Sequence, residues 1–364
     1  MSHRPSGLHE FPLIDRIARM TGALPPDVRV GIGDDAAVIR TRTAGSDWIV
    51  TTDLLAEHVH FTRTTTPFFD LGYKSAAANL SDLAAMGATP RFLLVAIALP
   101  SSITTAEVTT LYRGLNACCR PHGVCVIGGD TSASRSDLFI TITAIGQVAS
   151  GRAVLRRGAR VGDALYVSGT IGDSLAGLRL LQATGRRASG ISTTHADKLI
   201  KRHRRPTARV ALGAALARAR LATAMLDLSD GLSGDLPHLC RNSQVGATVD
   251  ATQLPISRAL KAYADTTHQS VVDLALQGGE DYELLFTVAP PNERAVAALA
   301  KQLRVPLTRI GRIVPRGQGL TLCNADGTSQ RWTVTAYRHF EQQTSPTTSA
   351  TTKRRSTSRI APRT

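Results

Sequence analysis

The chain has 364 residues and is 43% hydrophobic but only 4% aromatic, so it is long enough for two ordinary domains with aliphatic cores. No apolar run reaches the length of a membrane-spanning helix, and the first ten residues lack the apolar region of a signal peptide. The net charge of +15 would suit a nucleic-acid partner, but the distribution of the basic residues argues against that class.

The basic residues are concentrated in two segments. Residues 344–364 carry five basic side chains and no acid, and their richness in Ser, Thr and Pro predicts a disordered tail over residues 341–364. The second segment, residues 198–209, is interpreted as a solvated helix and loop. Neither segment has interleaved aromatic residues for base stacking, so we do not expect nucleic acid as the main partner.

The five cysteines form no C-x-x-C pair and are odd in number. We interpret them as reduced thiols, because disulfide frameworks belong to oxidising compartments. This pattern predicts a cytoplasmic protein.

The N-terminal region begins with a short predicted helix over residues 11–22. It is followed by Gly-Ile-Gly-Asp-Asp at residues 31–35, a loop without the Gly-Lys-Ser/Thr of a Walker motif or the third glycine of a dinucleotide fingerprint. A strand over residues 48–53 is expected to end in two hydroxyls and a carboxylate. Just beyond it, His60 is either a polar substrate contact or a plain surface histidine, since a zinc site with His58 lacks further ligands.

An Ala-rich helix is predicted over residues 71–87. Asn79 and Asp82 stand three residues apart and therefore share one face, where polar groups in an apolar helix need a partner. The remaining elements predicted before residue 150 are a buried strand over 92–99, a helix over 106–122, an apolar strand over 124–131 ending in Gly-Gly-Asp, and a strand over 138–148.

We place the domain boundary near Ser150, which divides the chain into an N-terminal domain over residues 1–150 and a C-terminal domain over residues 151–340. Three arginines follow in the loop 151–158, where they could contact phosphate. A strand over residues 164–168 then leads into a Gly-rich segment, 169–177. The backbone amides at the start of its helix are interpreted as a phosphate cradle.

The densest polar segment is residues 224–235. An apolar strand is followed by Asp227, Ser229 and Asp230 and then by a Leu-spaced helix. Alternation along a strand puts Asp227 and Ser229 on one face, and carboxylates this crowded repel each other unless a cation neutralises them. The alternative is that Ser229 or Asp230 merely caps the helix.

Further carboxylates follow the same pattern. Residues 277–286 place Glu280, Asp281 and Glu283 at the start of a strand, and the ordered chain is expected to end near residue 340. If the carboxylates at the strand and loop ends converge, several Mg²⁺ ions are the obvious counter-charge, because the ligands are hard oxygens without a Cys or His cluster. Such ions would bridge the phosphates of a nucleotide, so the residues predict a Mg²⁺-dependent, nucleotide-using enzyme without naming its acceptor.

Six motifs carry a resemblance to a known family. They are Gly-Ile-Gly-Asp-Asp at 31–35, Thr-Thr-Asp at 51–53, Asn-Leu-Ser-Asp-Leu-Ala-Ala-Met-Gly at 79–87, Ile-Gly-Gly-Asp-Thr at 127–131, Leu-Asp-Leu-Ser-Asp-Gly-Leu at 226–232 and Gly-Gly-Glu-Asp-Tyr-Glu-Leu at 278–284. In this order and spacing, over about residues 8–340, they resemble the thiamine-monophosphate kinases. The resemblance implies transfer of the γ-phosphoryl group of ATP to thiamine monophosphate, giving thiamine diphosphate.

The resemblance also implies a fold and an assembly. The fold is the α/β (α+β) two-domain architecture of aminoimidazole ribonucleotide synthetase, with an N-terminal mixed sheet with helices and a C-terminal α/β domain. Members of the family are usually homodimers built through the N-terminal domains.

Site residues are implied by the same motifs. The implied metal ligands are Asp35, Thr51, Thr52, Asp53, Asp82, Asp130, Asp227 and Asp230. The implied ATP contacts are Tyr112, Gly129, Asp130, Arg156 and Ser229. The implied substrate contacts are His60, Glu280 and Tyr337, with Tyr337 offering an aromatic face to the cationic thiazolium ring and Trp332 as the other aromatic candidate.

Two other interpretations compete with this one. A sister enzyme of the same fold, such as the purine-pathway cyclo-ligase or selenophosphate synthetase, is the first, although the latter needs a reactive cysteine near the N-terminus and no Cys precedes Cys118. A basic nucleic-acid-binding protein is the second, and it has no use for six carboxylates that would repel phosphates.

Overall fold

The computed structural model describes residues 10–21, 23–41, 45–183 and 190–334. Tyr337 and the predicted tail lie outside the described residues. The helices are α1 (Glu10–Met20), α2 (Phe68–Ala85), α3 (Thr105–Cys119), α4 (Asp173–Gln182), α5 (Thr193–Arg204), α6 (Val210–Arg218), α7 (Leu232–Ser243), α8 (Arg258–Thr267), α9 (Val271–Gln277) and α10 (Glu293–Leu303). The strands are β1 (Val28–Val30), β2 (Ala37–Arg40), β3 (Ser46–Ala56), β4 (Thr89–Pro100), β5 (Cys125–Ser134), β6 (Phe139–Ala149), β7 (Ala164–Ser168), β8 (Ala222–Asp227), β9 (Gly246–Asp250), β10 (Leu284–Val288), β11 (Leu307–Val314), β12 (Leu320–Cys323) and β13 (Ser329–Arg331).

The first sheet has six strands in the order β1-β2-β3-β6-β4-β5, and only the β4–β5 pair is parallel. Helices α2 and α3 cover one face. They approach closely because Gly72 has no Cβ, which would lie 1.9 Å from the carbonyl oxygen of Leu111. On the other face, called the open face here, Leu54, Leu94 and Ile127 are exposed.

The second sheet has seven strands in the order β13-β12-β9-β11-β7-β10-β8, and only the β9–β12 pair is parallel. Alternation along the fully buried strand β7 sends Leu165 and Val167 into one core, while Ala164 and Tyr166 enter another. The second of these cores is shared with the first sheet and α2. Apolar packing is therefore continuous between the two sheets.

Most elements lie where the sequence predicts them, but two strands are longer than expected. Strand β3 continues to Ala56 and β5 continues to Ser134. Asp53 and Asp130 therefore lie inside strands, and the prediction that they end strands is wrong. The reason is that ladder pairing with the neighbouring strands continues past both residues.

Two further local predictions are wrong. Strand β8 ends at Asp227, so Ser229 lies beyond the strand and does not share a face with Asp227 by alternation. Strand β10 begins at Leu284, so Glu280 and Asp281 precede it in an irregular loop where Glu280 and Tyr282 have positive φ.

The boundary near Ser150 stays a prediction. Strand β6 of the first sheet ends at Ala149, and the next strand, β7, belongs to the second sheet. Among the helices of the described residues, none is long and apolar enough to cross a lipid bilayer.

Candidate active site

Three aspartates from distant parts of the chain meet between the two sheets. Asp35 lies in the loop before β2, Asp82 in α2, and Asp227 at the end of β8, and carboxylate oxygens of the three all lie within 4.8 Å of one another. Asp35 and Asp227 are buried and Asp82 is half-buried. We call this group the carboxylate cluster.

Neighbouring hydroxyls orient the cluster. Thr51 Oγ1 donates a hydrogen bond to Oδ2 of Asp82 at 2.7 Å, and Ser81 Oγ donates to Oδ2 of Asp227 at 2.6 Å. Ser81 was not predicted as a site residue, although its position beside Asp82 in the Asn-Leu-Ser-Asp motif marks it. These bonds hold one oxygen of each carboxylate and leave the other available.

Arg156 borders the cluster on the side of the loop that carries Asp34 and Asp35. Its Nε donates to Oδ1 of Asp35 at 2.8 Å, and its Nη2 donates to the same oxygen. Its backbone N–H donates to Oδ1 of Asp34 at 3.1 Å. The predicted ATP contact Arg156 is therefore an ion-pair partner of the predicted metal ligand Asp35.

The electrostatics of the cluster are unfavourable without a cation. Burial raises the pKa of Asp82 well above its ordinary value, and the charges of Asp53, Asp227 and Asp35 raise it further. Burial, with the charge of Asp35, raises the pKa of Asp227 to about 7, and burial raises that of Asp53 to about 6. Asp53 thus belongs electrostatically to the same group.

The residues present fit a hard divalent cation. Oδ2 of Asp35 is buried and has no hydrogen-bond partner among the described residues, so it is available as a ligand. The donors converging here are carboxylate and hydroxyl oxygens, the set that Mg²⁺ prefers over zinc. Asp35, Asp82 and Asp227, with Asp53 and Thr51 beside them, could hold such an ion.

Asp230 and Ser229 lie in the loop after the cluster. The N-cap residue of α7 is Gly231, which has no side chain, so neither Ser229 nor Asp230 occupies the N-cap position, and the alternative that one of them caps the helix stays open. Oδ2 of Asp235 accepts hydrogen bonds from the backbone N–H groups of Asp230 at 3.1 Å and Gly231 at 3.0 Å. Ser229 is exposed and Asp230 is half-buried, near enough to Asp235 for its charge to raise the pKa of that residue.

Two predicted metal ligands lie on the open face, away from the cluster. Thr52 pairs with Thr143 across β3 and β6, and its Oγ1 donates to the carbonyl of Ile142 at 3.2 Å. Asp130 is exposed on the edge strand β5, and its Oδ1 accepts from the N–H of Thr131 at 2.9 Å. Because alternate residues face opposite sides of a sheet, Thr52 points away from its neighbours Thr51 and Asp53.

Gly129, Tyr112 and Trp332 each make contacts within the folded chain. A Cβ on Gly129 would lie 1.8 Å from the carbonyl oxygen of Val95, so the close pairing of β5 with β4 already requires glycine there. Tyr112 is half-buried on α3 and packs against the core. Trp332 donates from Nε1 to the carbonyl of Ser233 at 3.1 Å and is half-buried.

Glu280 and His60, the two predicted substrate contacts within the described residues, lie near enough for their charges to interact. Burial raises the pKa of Glu280, but the charges of Lys74, His203 and His60 outweigh it, so this pKa lies below its ordinary value. His60 is anchored by its Nδ1, which accepts from the backbone N–H of Ala56 at 3.0 Å. Lys74 and His203 were not predicted; the signal for Lys74 is a cation inside an otherwise apolar helix.

The predicted phosphate cradle at the start of α4 is wrong. The backbone N–H groups of Gly172 and Ser174 donate to the carboxylate of Asp281, the latter at 3.0 Å. Glu283 beside it is fully buried and pairs with Arg209 and Arg202. These amides are occupied by the chain's own carboxylate, which competes with any phosphate.

Two family models match this chain, one in its N-terminal half and one in its C-terminal half. Residues 33–148 match the N-terminal domain of the AIR synthase related proteins, and residues 160–322 match their C-terminal domain. The thiamine-monophosphate kinase of Haemophilus influenzae is 40% identical over 306 residues, covering 84% of this chain and 89% of the relative. That of Bacillus subtilis is 36% identical over 335 residues, covering 92% and 100%.

A solved structure described as AaThiL complexed with AMPPCP and TMP matches with a TM-score of 0.79 and 33% identity, covering 93% of this chain and 99% of the other. The two mixed sheets and the carboxylate cluster between them thus define an enzyme of the AIR synthase related class. Within that class, the chain belongs to the thiamine-monophosphate kinase family. The predicted family and fold class are confirmed.

Proposed function

We propose that this chain transfers the γ-phosphoryl group of ATP to thiamine monophosphate, giving thiamine diphosphate and ADP. The observation that carries this proposal is the carboxylate cluster between the two sheets, in a family whose related structure is described as holding AMPPCP and TMP. AMPPCP is an ATP analogue, so that complex pairs a nucleotide with the monophosphate acceptor.

We propose that the metal is Mg²⁺ and that several ions are required. Asp35, Asp82 and Asp227 would hold it, because burial and mutual repulsion make their ionised form costly without a cation. When bound, Mg²⁺ would offset the negative charge of the polyphosphate. Arg156, paired with Asp35, would orient that carboxylate and lend positive charge near the nucleotide.

The remaining predicted ligands and contacts keep their proposed roles. Asp53 and Thr51 adjoin the cluster, and Asp230 and Ser229 border it in the loop after β8. Tyr112, Gly129, Asp130 and Thr52 lie on or near the first sheet and are proposed as nucleotide or metal contacts.

The acceptor end of the site is proposed to lie at Glu280 and His60. A low pKa keeps Glu280 ionised near neutral pH, and a carboxylate there suits the cationic thiazolium ring. Trp332 remains the alternative to Tyr337 as the aromatic contact, although its N–H is already bonded to Ser233.

The reaction is proposed to be a direct in-line transfer without a covalent carrier. The cluster aspartates are proposed as metal ligands, and His60 is proposed for the substrate, so we do not assign any of these side chains as a carrier of phosphate. A phosphate monoester already offers a nucleophilic oxygen that needs little deprotonation near neutral pH. Positioning and electrostatics can then supply the acceleration.

A homodimer through the N-terminal domains is proposed on the properties of the open face. Leu54, Leu94 and Ile127 are 53%, 37% and 56% exposed on β3, β4 and β5, which is unusual for a sheet surface left in water. Strand β5 is also an uncovered edge. A second copy would cover both, and it would lie beside Thr52 and Asp130.

The proposed compartment is the cytoplasm, where ATP is available and the five free cysteines would stay reduced. The proposed activity is tested by incubating the purified chain with ATP and thiamine monophosphate and separating thiamine diphosphate by chromatography, with Mg²⁺ and with EDTA. We expect product only with Mg²⁺. Product formation in EDTA would reject the metal assignment, and no product under any condition would reject the reaction.

A further inference from the structure

A cavity lies between the first sheet and the helix α6, apart from the carboxylate cluster. Its volume is about 450 Å³, and it is bordered by the starts of β3 and β4, the end of β6 and the helix α6. Ser46, at its rim, precedes Thr51 by five residues along β3, which corresponds to about 16 Å of strand. None of the residues lining this cavity belongs to the carboxylate cluster.

The cavity is lined by three arginines and no acid. Arg91 comes from β4, Arg152 from the segment after β6, and Arg218 from the end of α6. None of the three takes part in an ion pair within the described part of the chain. Three positive charges therefore line this cavity, and no acidic side chain of the described residues pairs with them.

Arg152 is the residue that points to a ligand. Its Nη1 is buried and has no hydrogen-bond partner among the described residues. A buried polar or charged atom without a partner is costly, so its retention needs a compensating group. The guanidinium of Arg156 in the same segment has such a group in Asp35, whereas Nη1 of Arg152 has none from the described residues.

We propose that this cavity binds a small anion carrying one or more phosphate groups. Guanidinium groups recognise phosphate through paired N–H donors, and three of them can share the charge of a diphosphate. Thr89 and Gln147 line the same cavity and supply neutral polar groups. The volume lies within the range of about 300–1,000 Å³ typical of small-molecule pockets.

The segment that carries Arg152 also reaches the active site. The backbone N–H of Arg152 donates to the carbonyl oxygen of Ala149 at 2.9 Å. The backbone N–H of Val154 donates to the carbonyl oxygen of Met86 at 3.2 Å. Arg156 follows four residues after Arg152 and pairs with Asp35. The phosphate site therefore lies one short segment away from the carboxylate cluster without sharing its ligands.

The test is calorimetric titration of the purified chain with sodium pyrophosphate, in EDTA and at low ionic strength. Because it measures binding without Mg²⁺, its outcome does not depend on the kinase reaction. We expect one saturable site that R152Q and R218Q each weaken by at least about tenfold, since each removes a charge-assisted contact. R316Q, at an exposed turn outside the cavity, is the matched control and binds as the unaltered chain does.

Two further measurements make the result decisive. R152Q should melt no lower than the unaltered chain in anion-free buffer, because it removes an unpaired buried group, and R218Q, at an exposed position, provides a folded variant in any case. Orthophosphate, ADP and thiamine diphosphate are titrated alongside, and the tightest binder identifies the source of the phosphate. Undetectable pyrophosphate binding, or equal binding by both cavity variants and the unaltered chain, would overturn the proposal.

Discussion

The ammonium group of Lys74 lies 2.6 Å from Oε1 of Glu280, and this ion pair joins α2 to the loop before β10. Lys74 is fully buried, and His203 lies 3.4 Å from the other carboxylate oxygen through its Nδ1. The pair explains how a carboxylate can stay ionised at the proposed acceptor end of the site.

Replacement of Lys74 by Met should destabilise the chain and impair acceptor binding. Breaking a buried ion pair by removing one partner costs about 3–5 kcal/mol, and we expect the low end because the Glu280 side chain is 28% exposed. Urea unfolding measures this loss, and initial rates should show a KM for thiamine monophosphate raised at least about tenfold. K198M on the exposed surface of α5 is the control, and equal stability and KM in the two variants would contradict the role of Lys74.

The stability of the chain should fall with acid through His203. Burial, with the charge of Lys74, lowers the pKa of His203 from 6.5 to about 3, so the unfolded chain binds the proton more readily than the folded chain. The stabilisation is therefore complete above about pH 6.5 and is lost as the pH falls toward about 3. Relative to H203Q, the unaltered chain should lose about 2 kcal/mol of unfolding free energy between pH 7.5 and pH 5, as measured by urea titrations. Parallel curves for the two proteins would exclude this titration.

Asp53→Ala and Asp130→Ala should each reduce turnover at saturating Mg²⁺ by at least about a hundredfold, the scale of a major electrostatic contributor. D326A, in an exposed turn, is the control and should leave turnover unchanged. Near-normal turnover in either of the first two variants would refute the corresponding ligand assignment.

The same two variants test how Asp130 reaches a site that it does not face. If the open faces of two copies meet and Asp130 serves the partner, mixing D53A with D130A after reversible dissociation restores one intact site in each mixed dimer. Half of the dimers are mixed, so about a quarter of the original activity should return. A mixture as inactive as its components would mean that Asp130 acts within its own chain or not at all.

Removal of residues 344–364 should leave the kinase constants within about twofold, because a basic segment rich in Ser and Thr and poor in large apolar residues adds little to a core. These residues lie outside the described part of the chain. Steady-state kinetics and a melting curve of the chain ending at Gln343 provide the check. A large loss of activity or of melting temperature would show that the tail docks on the folded domains.

ATP with a chiral γ-phosphorus should give thiamine diphosphate of inverted configuration, since a single in-line displacement inverts the phosphorus once. The product is analysed by ³¹P NMR after stereospecific derivatisation. Retention, or isolation of a phosphorylated protein that passes its phosphate to thiamine monophosphate, would replace direct transfer by a covalent route.

Much of this protein could be predicted from local pattern. The apolar run over residues 164–168 is the observed strand β7, and the Ala-rich run over residues 71–87 lies largely within α2. Six short motifs in order carried the resemblance to the family, and that resemblance implied the two-domain fold.

Contacts between distant residues could not be read in this way. The amides that begin α4 have the pattern of a phosphate cradle, but the fold brings Asp281 to them from the loop before β10. Likewise, Thr51 and Thr52 are adjacent and chemically equal, yet the pleat of β3 turns one toward Asp82 and the other toward the open face.

The sequence by itself therefore determined where most strands and helices occur, because the spacing of apolar residues and the turn residues act over only a few positions. Only the tertiary structure decided which charges meet. Asp35, Asp82 and Asp227 converge, and Lys74 pairs with Glu280. Arg156 is paired with Asp35, whereas Nη1 of Arg152 has no partner among the described residues. The physical reason is that electrostatic interactions depend on spatial distance and burial, which the packing of the two sheets sets and the order of residues along the chain does not.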